Sequence, residues 1–283
     1  MEETALYRKR NIILKYFFLT VLLLIMLYPI FWLVGASMKE SGEIFGNPSI
    51  LPDAFDLSGY KRALEGISGV SMAQFMGNSL VLTTINVLVT VASSCFIAYG
   101  FARFDFKGKK LFFILMIGTM MLPNAVLIIP RYMVFNQLHW LNSYLTFWAP
   151  SLLGVNSFNI YMMIQFYRGI PKELDEAAKL DGCGSFQILV RIILPLSKPA
   201  VMSIGVLQFL WTWNDYFNSL IYINKVSKYP VSIGLQLMLG YNSVTDWQKV
   251  LAAGFMSIIP CVIVYAALQK YLVQGTVTAG LKG

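Results

Sequence analysis

The chain has 283 residues, of which 57% are hydrophobic and only 13% are charged, and its mean hydropathy is +0.63. A typical soluble domain carries roughly 25% charged residues, so this composition excludes an ordinary water-soluble fold. The net charge of +8 does not indicate a nucleic-acid surface, because the basic residues lie between apolar stretches and do not cluster on one segment. The three cysteines and one histidine show no metal-ligand spacing, so no metal site is predicted.

Six apolar segments are long enough to cross a bilayer as helices, each of which needs about 20 apolar residues. Helices satisfy their own backbone groups in hydrocarbon, so the predicted fold class is an all-α integral membrane protein. We treat residues 1–283 as a single transmembrane domain. The spans are expected near residues 15–37, 76–102, 111–135, 144–167, 197–223 and 250–271.

The first apolar segment has some features of a signal peptide. The basic Arg8–Arg10 precedes it, and the small residues Gly35 and Ala36 lie near its end. However, the uncharged run from Tyr16 to Ser37 covers 22 residues. A signal peptide has an apolar core of only about 7–15 residues, so the sequence predicts a retained membrane helix.

The distribution of basic residues predicts the orientation, because lysine and arginine favour the cytoplasmic side of short loops. Of the 22 lysines and arginines, 15 lie in the two terminal segments and the second and fourth loops, and 7 lie in the other loops. Both termini are therefore predicted to be cytoplasmic. The long first loop, 38–75, is expected to be external, with a short helix around Gly59–Glu65.

The third span contains two prolines, in the pairs Pro123-Asn124 and Ile129-Pro130. Proline removes a helical hydrogen bond, so these positions should kink or unwind the helix. A break of this kind suits a gate on a translocation path, which makes Pro123 and Asn124 candidates. Plain kinks are also common in membrane helices, and both interpretations fit the sequence.

The cytoplasmic fourth loop begins with a predicted amphipathic helix. Its first turn is acidic, which the positive end of a helix dipole favours. Leu174, Ala177 and Ala178 are expected to share its apolar face. Gly182 or Gly184 would end it, since glycine commonly terminates helices.

A second short helix is predicted to follow, with Ser185 as its N-cap and Pro195 at its end. The whole loop, 168–196, therefore forms a helix, a turn and a helix at the inner face of the membrane. Such an element needs a cover for its apolar side. Either the membrane surface or the groove of a partner protein would provide one.

The residue spacing within this loop resembles a motif of a known transporter family. Glu-Ala-Ala, three residues, Gly, nine residues, then Ile-x-Leu-Pro is similar to the EAA loop of the permease subunits of ABC importers, which lies between two late spans. The resemblance implies a coupling helix that sits in a cleft of an ATPase subunit. The residues carrying this role by resemblance are Glu176, Ala177, Ala178, Asp181, Gly182, Ile192, Leu194 and Pro195.

The end of the chain, 272–283, is similar to the C-terminal tail of MalG-type permeases in maltose-type carbohydrate importers. By this resemblance the tail is cytoplasmic and reaches toward the interface of the ATPase dimer. The tail residues implied in that contact are Gln274, Gly275, Gly280, Lys282 and Gly283.

The fifth span contains a cluster of aromatic, amide and acidic residues. Trp211, Trp213, Asn214 and Asp215 are candidates for the translocation path. Aromatic faces stack on sugar rings and amides bond to hydroxyl groups, so the chemistry suits a sugar. Trp211 and Trp213 fit an aromatic belt at the membrane boundary equally well. In the resembling family, the larger partner permease supplies most substrate contacts.

The resemblance implies a type I ABC-importer permease in the cell membrane. Its expected partners are a second homologous permease, an ATPase dimer, an extracytoplasmic sugar-binding protein and the lipid bilayer. The chain lacks the GxxxxGK[ST] phosphate-binding loop, so it is not expected to be an enzyme or to hold a cofactor. ATP and magnesium would be bound by the ATPase subunits. The implied function is alternating-access import of a sugar or oligosaccharide.

Two other classes of membrane protein are alternatives to an importer permease. An ion-coupled secondary transporter or a channel would use buried carboxylates, paired broken helices or a selectivity filter. Only Asp215 is predicted inside the membrane, and the fourth loop would have no role. A membrane enzyme is disfavoured because the chain has no HExxH or GxSxG motif and only one histidine.

Overall fold

The computed structural model describes residues 2–240 and 245–280, and it describes side chains over 11–240 and 245–271. The described residues form helices, turns and one isolated bridge between Ile67 and Val70, with no β-strand among them. The predicted all-α class is therefore confirmed for this part of the chain.

The α-helices of the described residues are labelled in chain order. They are α1 (Glu2–Ala36), α2 (Glu43–Gly46), α3 (Ser58–Glu65), α4 (Met72–Arg103), α5 (Lys109–Met120), α6 (Asn124–Gln137), α7 (Leu145–Leu152), α8 (Ser157–Arg168), α9 (Glu173–Leu180), α10 (Ser185–Ile188), α11 (Leu194–Leu196), α12 (Lys198–Trp213), α13 (Phe217–Tyr222), α14 (Val231–Met238) and α15 (Trp247–Gly280). A π-helical turn, Leu189–Ile193, joins α10 to α11, and a 3-10 turn, Val226–Lys228, precedes α14.

Three helices are long and apolar enough to cross a membrane by themselves: α1 from Asn11 to Ala36, α4, and α15 from Trp247 to Tyr271. Two helix pairs meet the same criterion only when taken together. The pair α5 and α6 is bent by 107°, and the helical stretch Ser185–Leu196 is bent by 79° relative to α12. The described residues thus contain three to five candidate spans.

The predicted span at 144–167 is not one continuous helix. It consists of α7 and α8, separated by residues 153–156. Gly154 lies in this break with a φ of +80°, a backbone conformation that glycine adopts without strain. A Cβ atom at Gly154 would meet the end of the Ile97 side chain, so a larger residue there would also force Ile97 in α4 to change its conformation.

The break between α5 and α6 lies where the sequence predicted a kink. Pro123 is the N-cap of α6 and has an extended backbone, with a ψ of 132°. Pro130 lies inside α6, which continues past it to Gln137. Of the two predicted kink positions, only the one at Pro123 coincides with a break between two helices.

By internal packing, the chain divides into two compact units. One unit contains the residues up to Met72 together with Leu235–Ile258, and the other contains Ala73–Gly234 together with the residues from Ile259 onward. In the first unit, the most apolar stretch of α1 buries nothing against the chain itself. Lipid or another subunit must cover it, which agrees with the predicted retained membrane helix.

A polar network in the first unit joins α3 to the start of α15. Arg62 Nε and Nη2 donate to the Asp246 carboxylate at 2.6 and 3.2 Å, and Nη2 also donates to Gln248 Oε1 at 2.7 Å. Gly59 is packed so closely that a Cβ atom there would lie 2.5 Å from Gln248 Cγ. The short helix predicted in the first loop is confirmed, and this network anchors it.

The second unit has two apolar clusters, described here as clusters one and two. Cluster one joins α4, α8, α9, α10 and α12 through buried residues that include Tyr99, Tyr167 and Leu189. Cluster two joins α4, α6, α7 and α13 through residues that include Leu82 and Phe135. The functional residues of this unit lie against these two clusters.

The Arg62–Asp246 ion pair should make the stability of the first unit depend on pH. The hydrogen bond from Arg62 holds the pKa of the Asp246 carboxyl below its usual range. The pair's contribution is therefore fully present above the ordinary carboxyl pKa of about 4 and is lost as the pH falls through the lowered value. Because both side chains are partly exposed, that contribution should be at most about 1 kcal/mol.

Asp246→Asn should accordingly lower the thermal unfolding midpoint of the detergent-purified chain at pH 7. The difference from wild type should shrink only as the pH falls below about 4. The exposed Glu40 provides a control, since Glu40→Gln should leave the midpoint unchanged. A wild-type midpoint equal to that of Asp246→Asn at pH 7 would contradict the role given to this pair.

Candidate functional site

The helix α9 ends at a glycine turn. The N–H of Cys183 donates to the Ala178 carbonyl at 2.9 Å, and the N–H of Gly182 donates to the Lys179 carbonyl at 3.0 Å. This is the Schellman arrangement, which needs a left-handed residue after the helix. Gly182 supplies it with a φ of +82°, so Gly182 ends the first helix of the fourth loop.

The second helix of this loop begins one residue earlier than predicted. The N-cap is Gly184, whose N–H donates to Gln187 Oε1 at 3.0 Å, and Ser185 is the first helical residue. The prediction that Ser185 is the N-cap is therefore wrong by one position. The helix ends at Leu196, one residue beyond Pro195. Proline has no amide hydrogen to donate to the preceding turn. The wide π-helical turn ends at Ile193, two residues before Pro195.

We call α9 to α11, residues 173–196, the cytoplasmic helix pair, after the orientation that the sequence predicts. Its motif residues divide into an exposed group and a packed group. Glu176, Ala177, Asp181, Gly182 and Pro195 are exposed, Ala178 is buried, and Ile192 and Leu194 are half-buried. Leu180 is 90% exposed beside the acidic residues. The exposed motif residues of α9 and of its glycine turn thus form a small acidic and apolar surface that nothing in the described chain covers.

The buried face of α9 differs from the predicted one. Leu174 and Ala177 are exposed, while Asp175 is buried next to Ala178. Helical spacing alone favoured Leu174 for this face. The reason for the difference is a partner from another helix, Arg103 at the end of α4.

Arg103 and Asp175 form a buried ion pair between α4 and the cytoplasmic helix pair. Arg103 Nε lies 2.7 Å from Asp175 Oδ2, and the two side chains are only 5% and 10% exposed. Arg103 Nη2 also donates to the Ile170 carbonyl at 3.0 Å. Sequence reasoning missed this pair because its members are far apart in the chain. It had counted Arg103 only as a basic loop residue.

A polar cavity of about 210 Å³ lies within the second unit, between α4, α6, α7 and α12. Most of its lining side chains carry amides, hydroxyls or charges. The lining residues are Asn86, Arg131, Phe135, Thr146, Phe147, Pro150, Ser151, Val155, Asn156, Gln208, Trp211, Thr212, Asp215, Asn218 and Tyr222.

A hydrogen-bond network crosses one wall of this cavity. Asn86 Nδ2 and Gln208 Nε2 both donate to Thr212 Oγ1, at 2.9 and 3.0 Å. Gln208 Oε1 accepts from Asn159 Nδ2 at 3.0 Å. The amides of α4, α8 and α12 are therefore held in fixed positions around one hydroxyl group.

The two charged groups of the cavity are Asp215 and Arg131. Asp215 follows the end of α12, and its carboxylate accepts from Asn218 Nδ2 at 2.8 Å and from the Asn218 N–H at 3.1 Å. Arg131 Nη1 donates to Asn124 Oδ1 at 2.9 Å. The sequence alone favours a loop position for Arg131, but α6 continues to Gln137 and places Arg131 in the cavity wall.

The predicted path residues are only partly brought together. Trp211 and Asp215 line the cavity. Trp213 is buried instead, stacked on Phe209 with ring centroids 5.5 Å apart, and Asn214 Nδ2 donates to the Leu210 carbonyl. The remaining two path residues, Pro123 and Asn124, lie at the start of α6, and Asn124 meets the cavity through its bond to Arg131.

The predicted tail contact cannot be placed on side chains. Gln274, Gly275 and Gly280 lie in the last turns of α15, where only the helix itself is described. Lys282 and Gly283 lie outside the described residues. Among the described residues, no group of three or more His, Cys, Asp or Glu side chains could hold a metal ion.

Comparison with known proteins gives a consistent result. Residues 90–277 match the family model described as "Binding-protein-dependent transport system inner membrane component". The chain is 34% identical to the probable ABC transporter permease protein YurM of Bacillus subtilis, over 94% of this chain and 87% of that protein. It is 30% identical to the trehalose/maltose transport system permease protein MalG of Thermococcus litoralis, over 92% and 93% of the two chains.

A solved structure has the same fold. A chain of a bacterial ABC transporter involved in the import of the acidic polysaccharide alginate superposes with a TM-score of 0.79 and 26% sequence identity. The match covers 92% of this chain and 95% of that chain. Both the polar cavity and the cytoplasmic helix pair lie inside the segment that the family model matches, apart from Asn86.

The buried ion pair leads to a specific expectation for the cytoplasmic helix pair. Asp175→Asn leaves the Arg103 guanidinium buried without a counter-charge, which should destabilise the local structure by about 3–5 kcal/mol. Amide hydrogen exchange over residues 170–196 should then speed up in the purified chain. Exchange at α1 should stay unchanged.

Two further variants make this test specific. Glu173→Gln removes an exposed acid from the same helix and should leave exchange as in wild type. The double variant Arg103→Met with Asp175→Leu has no unpaired charge and should recover much of the protection. Equal exchange in Asp175→Asn and Glu173→Gln would show that the ion pair does not hold the helices together.

Proposed function

The chain belongs to the family of binding-protein-dependent transport system inner membrane components, and from this premise we propose that it carries a sugar or oligosaccharide. Family membership makes it the membrane-embedded permease subunit of an ABC importer. Several relatives are named as saccharide permeases, including those for trehalose and maltose and for arabinooligosaccharides, and one is named for osmoprotective compounds. The polar, partly aromatic cavity agrees with that class of solute.

The single observation that best supports the mechanism is the form of the cytoplasmic helix pair. Its motif surface, which includes Glu176 and Gly182, is exposed, while its other side is locked to α4 by the Arg103–Asp175 pair and to cluster one by Ala178. A rigid element with one free acidic surface is suited to dock in a partner's cleft and to pass movement to the spans. We infer that the partner is an ATPase dimer, which binds the ATP and magnesium.

We further infer six spans with both termini in the cytoplasm. The structure contains five candidate spans. We infer that α7 and α8 together form a sixth, the span expected near 144–167. A broken helix is tolerated at membrane depth where it borders a polar cavity, and this break does so through Ser151 and Asn156. The excess of basic residues in alternate loops supports the orientation.

The proposed transport cycle follows from these parts. A second homologous permease pairs with this chain, and an extracytoplasmic sugar-binding protein delivers the solute. Closure of the ATPase dimer moves the cytoplasmic helix pair, and the path opens alternately to the two sides. Trp211 and Asp215 border the proposed path, Pro123 and Asn124 mark the bend in its wall, and the tail from Gln274 onward extends toward the ATPases.

The coupling role can be tested with a charge reversal on the exposed surface. Glu176→Lys should abolish co-purification of the ATPase subunit, or reduce ATP-driven uptake at least about tenfold, because the docking contact loses its acidic partner. Gly182→Pro should act in the same direction, since proline cannot adopt the positive φ found there. Membrane insertion should be normal in both variants.

The matched control is Glu173→Lys, which reverses an equally exposed acid on the same helix but outside the motif. The measurement is affinity purification of the tagged chain with its co-expressed neighbouring subunits, followed by an ATPase assay of the eluate. Normal uptake in both Glu176→Lys and Gly182→Pro would sink the coupling assignment. Recovery of the chain alone, with no ATPase activity, would favour an ion-coupled transporter.

The orientation is tested by labelling single cysteines in a chain whose native cysteines are replaced by serine. Leu51→Cys, in the first loop, and Leu180→Cys, in the cytoplasmic helix pair, both place a thiol at a strongly exposed position. A membrane-impermeant thiol reagent should label the first from outside intact cells. It should label the second only after the membrane is opened, and the reverse pattern would refute the orientation.

A further inference from the structure

Three lining side chains of the cavity have a buried polar atom without a hydrogen-bond partner among the described residues: Asn86 Oδ1, Asn218 Oδ1 and Tyr222 Oη. Asn86 Oδ1 is the most fully described of them. Asn86 is 4% exposed and donates through Nδ2 to Thr212, but its Oδ1 accepts no hydrogen bond from any described residue. An unpaired amide oxygen inside a membrane protein is costly, so a persistent one indicates a ligand or ordered water. Asn86 Oδ1 borders the cavity, where either could reach it.

A donor lies directly beside this acceptor. Thr212 Oγ1 already accepts from both Asn86 and Gln208, so the proton of its own hydroxyl is left to bond with an acceptor in the cavity. A hydroxyl group is both donor and acceptor. A ring that carries neighbouring hydroxyls therefore satisfies Asn86 Oδ1 and the Thr212 hydroxyl together.

The rest of the lining matches the other surfaces of a sugar ring. Trp211 is half exposed at the cavity and is held by an edge contact with Phe158 at 5.5 Å. An indole next to hydroxyl-binding groups provides an apolar surface for the C–H face of a sugar. The lining contains one cation, Arg131, and one anion, Asp215, so its formal charge is zero and it favours a neutral ring.

The volume is sufficient for such a ring. A water needs about 10–15 Å³ of space of this kind, so the cavity of about 210 Å³ has room for well over ten waters. That space accommodates at least one pyranose ring. We propose that this cavity is a subsite of this subunit for a single neutral pyranose ring of the transported saccharide. The proposal rests on the proposed function and adds that this chain itself contacts substrate.

The test measures saccharide binding to the purified permease–ATPase complex in nanodiscs without the binding protein. The probes are maltose as a neutral saccharide and digalacturonate as an acidic one, and the signal is the tryptophan fluorescence that Trp211→Phe removes. Thr212→Val deletes the hydroxyl at nearly constant volume, and Thr212→Ser keeps it. Asn136→Ala, an exposed amide on α6 outside the cavity, is the control.

Wild type should bind maltose more tightly than digalacturonate. Thr212→Val should raise the Kd for maltose about tenfold, the effect of one lost hydrogen bond, while Thr212→Ser and Asn136→Ala stay near wild type. Should Thr212→Val fail to assemble, Trp211→Ala at the half-exposed rim should raise the Kd in its place. That Kd is measured by isothermal titration calorimetry, because this variant lacks the fluorescent indole.

The contrary results distinguish failure of the subsite proposal from failure of the proposed function. If the complex assembles and its ATPase responds to the binding protein, yet maltose gives no signal or Thr212→Val and Thr212→Ser bind it equally, the cavity holds only water and the subsite is refuted. The proposed function would then stand. Preferential binding of digalacturonate would refute the neutral class. A chain that recruits no ATPase would overturn the proposed function and the subsite with it.

Discussion

At membrane depth no bulk water is available to pair with a backbone amide or carbonyl, so each break in a helix has to be satisfied by the protein itself. At the break after α7, the Ser151 carbonyl accepts a hydrogen bond from Ser93 Oγ at 2.7 Å. At the break after α12, the backbone N–H of Asn218 donates a hydrogen bond to the Asp215 carboxylate. Ser151, Asp215 and Asn218 also line the polar cavity. The cavity is thus a direct result of the broken helices.

The same constraint acts where α8 stops and the chain turns toward α9. There the Arg103 guanidinium bonds to the Ile170 carbonyl and pairs with Asp175, so one side chain joins three segments. Ala178, Ile188 and Leu189 of the same helix pair pack into cluster one with residues of α4 and α8. A polar contact on one side and an apolar core on the other leave the cytoplasmic helix pair little freedom to move independently of the spans.

The sequence alone predicted the long apolar helices, the short helix in the first loop, the bend at Pro123 and the two helices of the fourth loop. These features depend on local signals such as apolar run length, proline position and glycine after a helix. It could not predict the Arg103–Asp175 pair or the position of Arg131 in the cavity wall, because both depend on which helices become neighbours. The expected apolar face of α9 failed for the same reason, since Asp175 is buried only because Arg103 meets it. Trp213 and Asn214 were grouped with Trp211 by proximity in sequence, but successive residues of a helix point in different directions.

The internal anchoring of the cytoplasmic helix pair has a consequence for how the proposed complex with an ATPase dimer would assemble. The contacts that order residues 173–196 come from this chain, so the conformational entropy of the pair is lost when the permease folds and not when a partner arrives. A preorganised surface of this kind binds as a nearly rigid body, and its association carries little of the ordering cost that a disordered loop would add. Stable subunit contact can therefore arise from a small surface, without coupled folding at the interface.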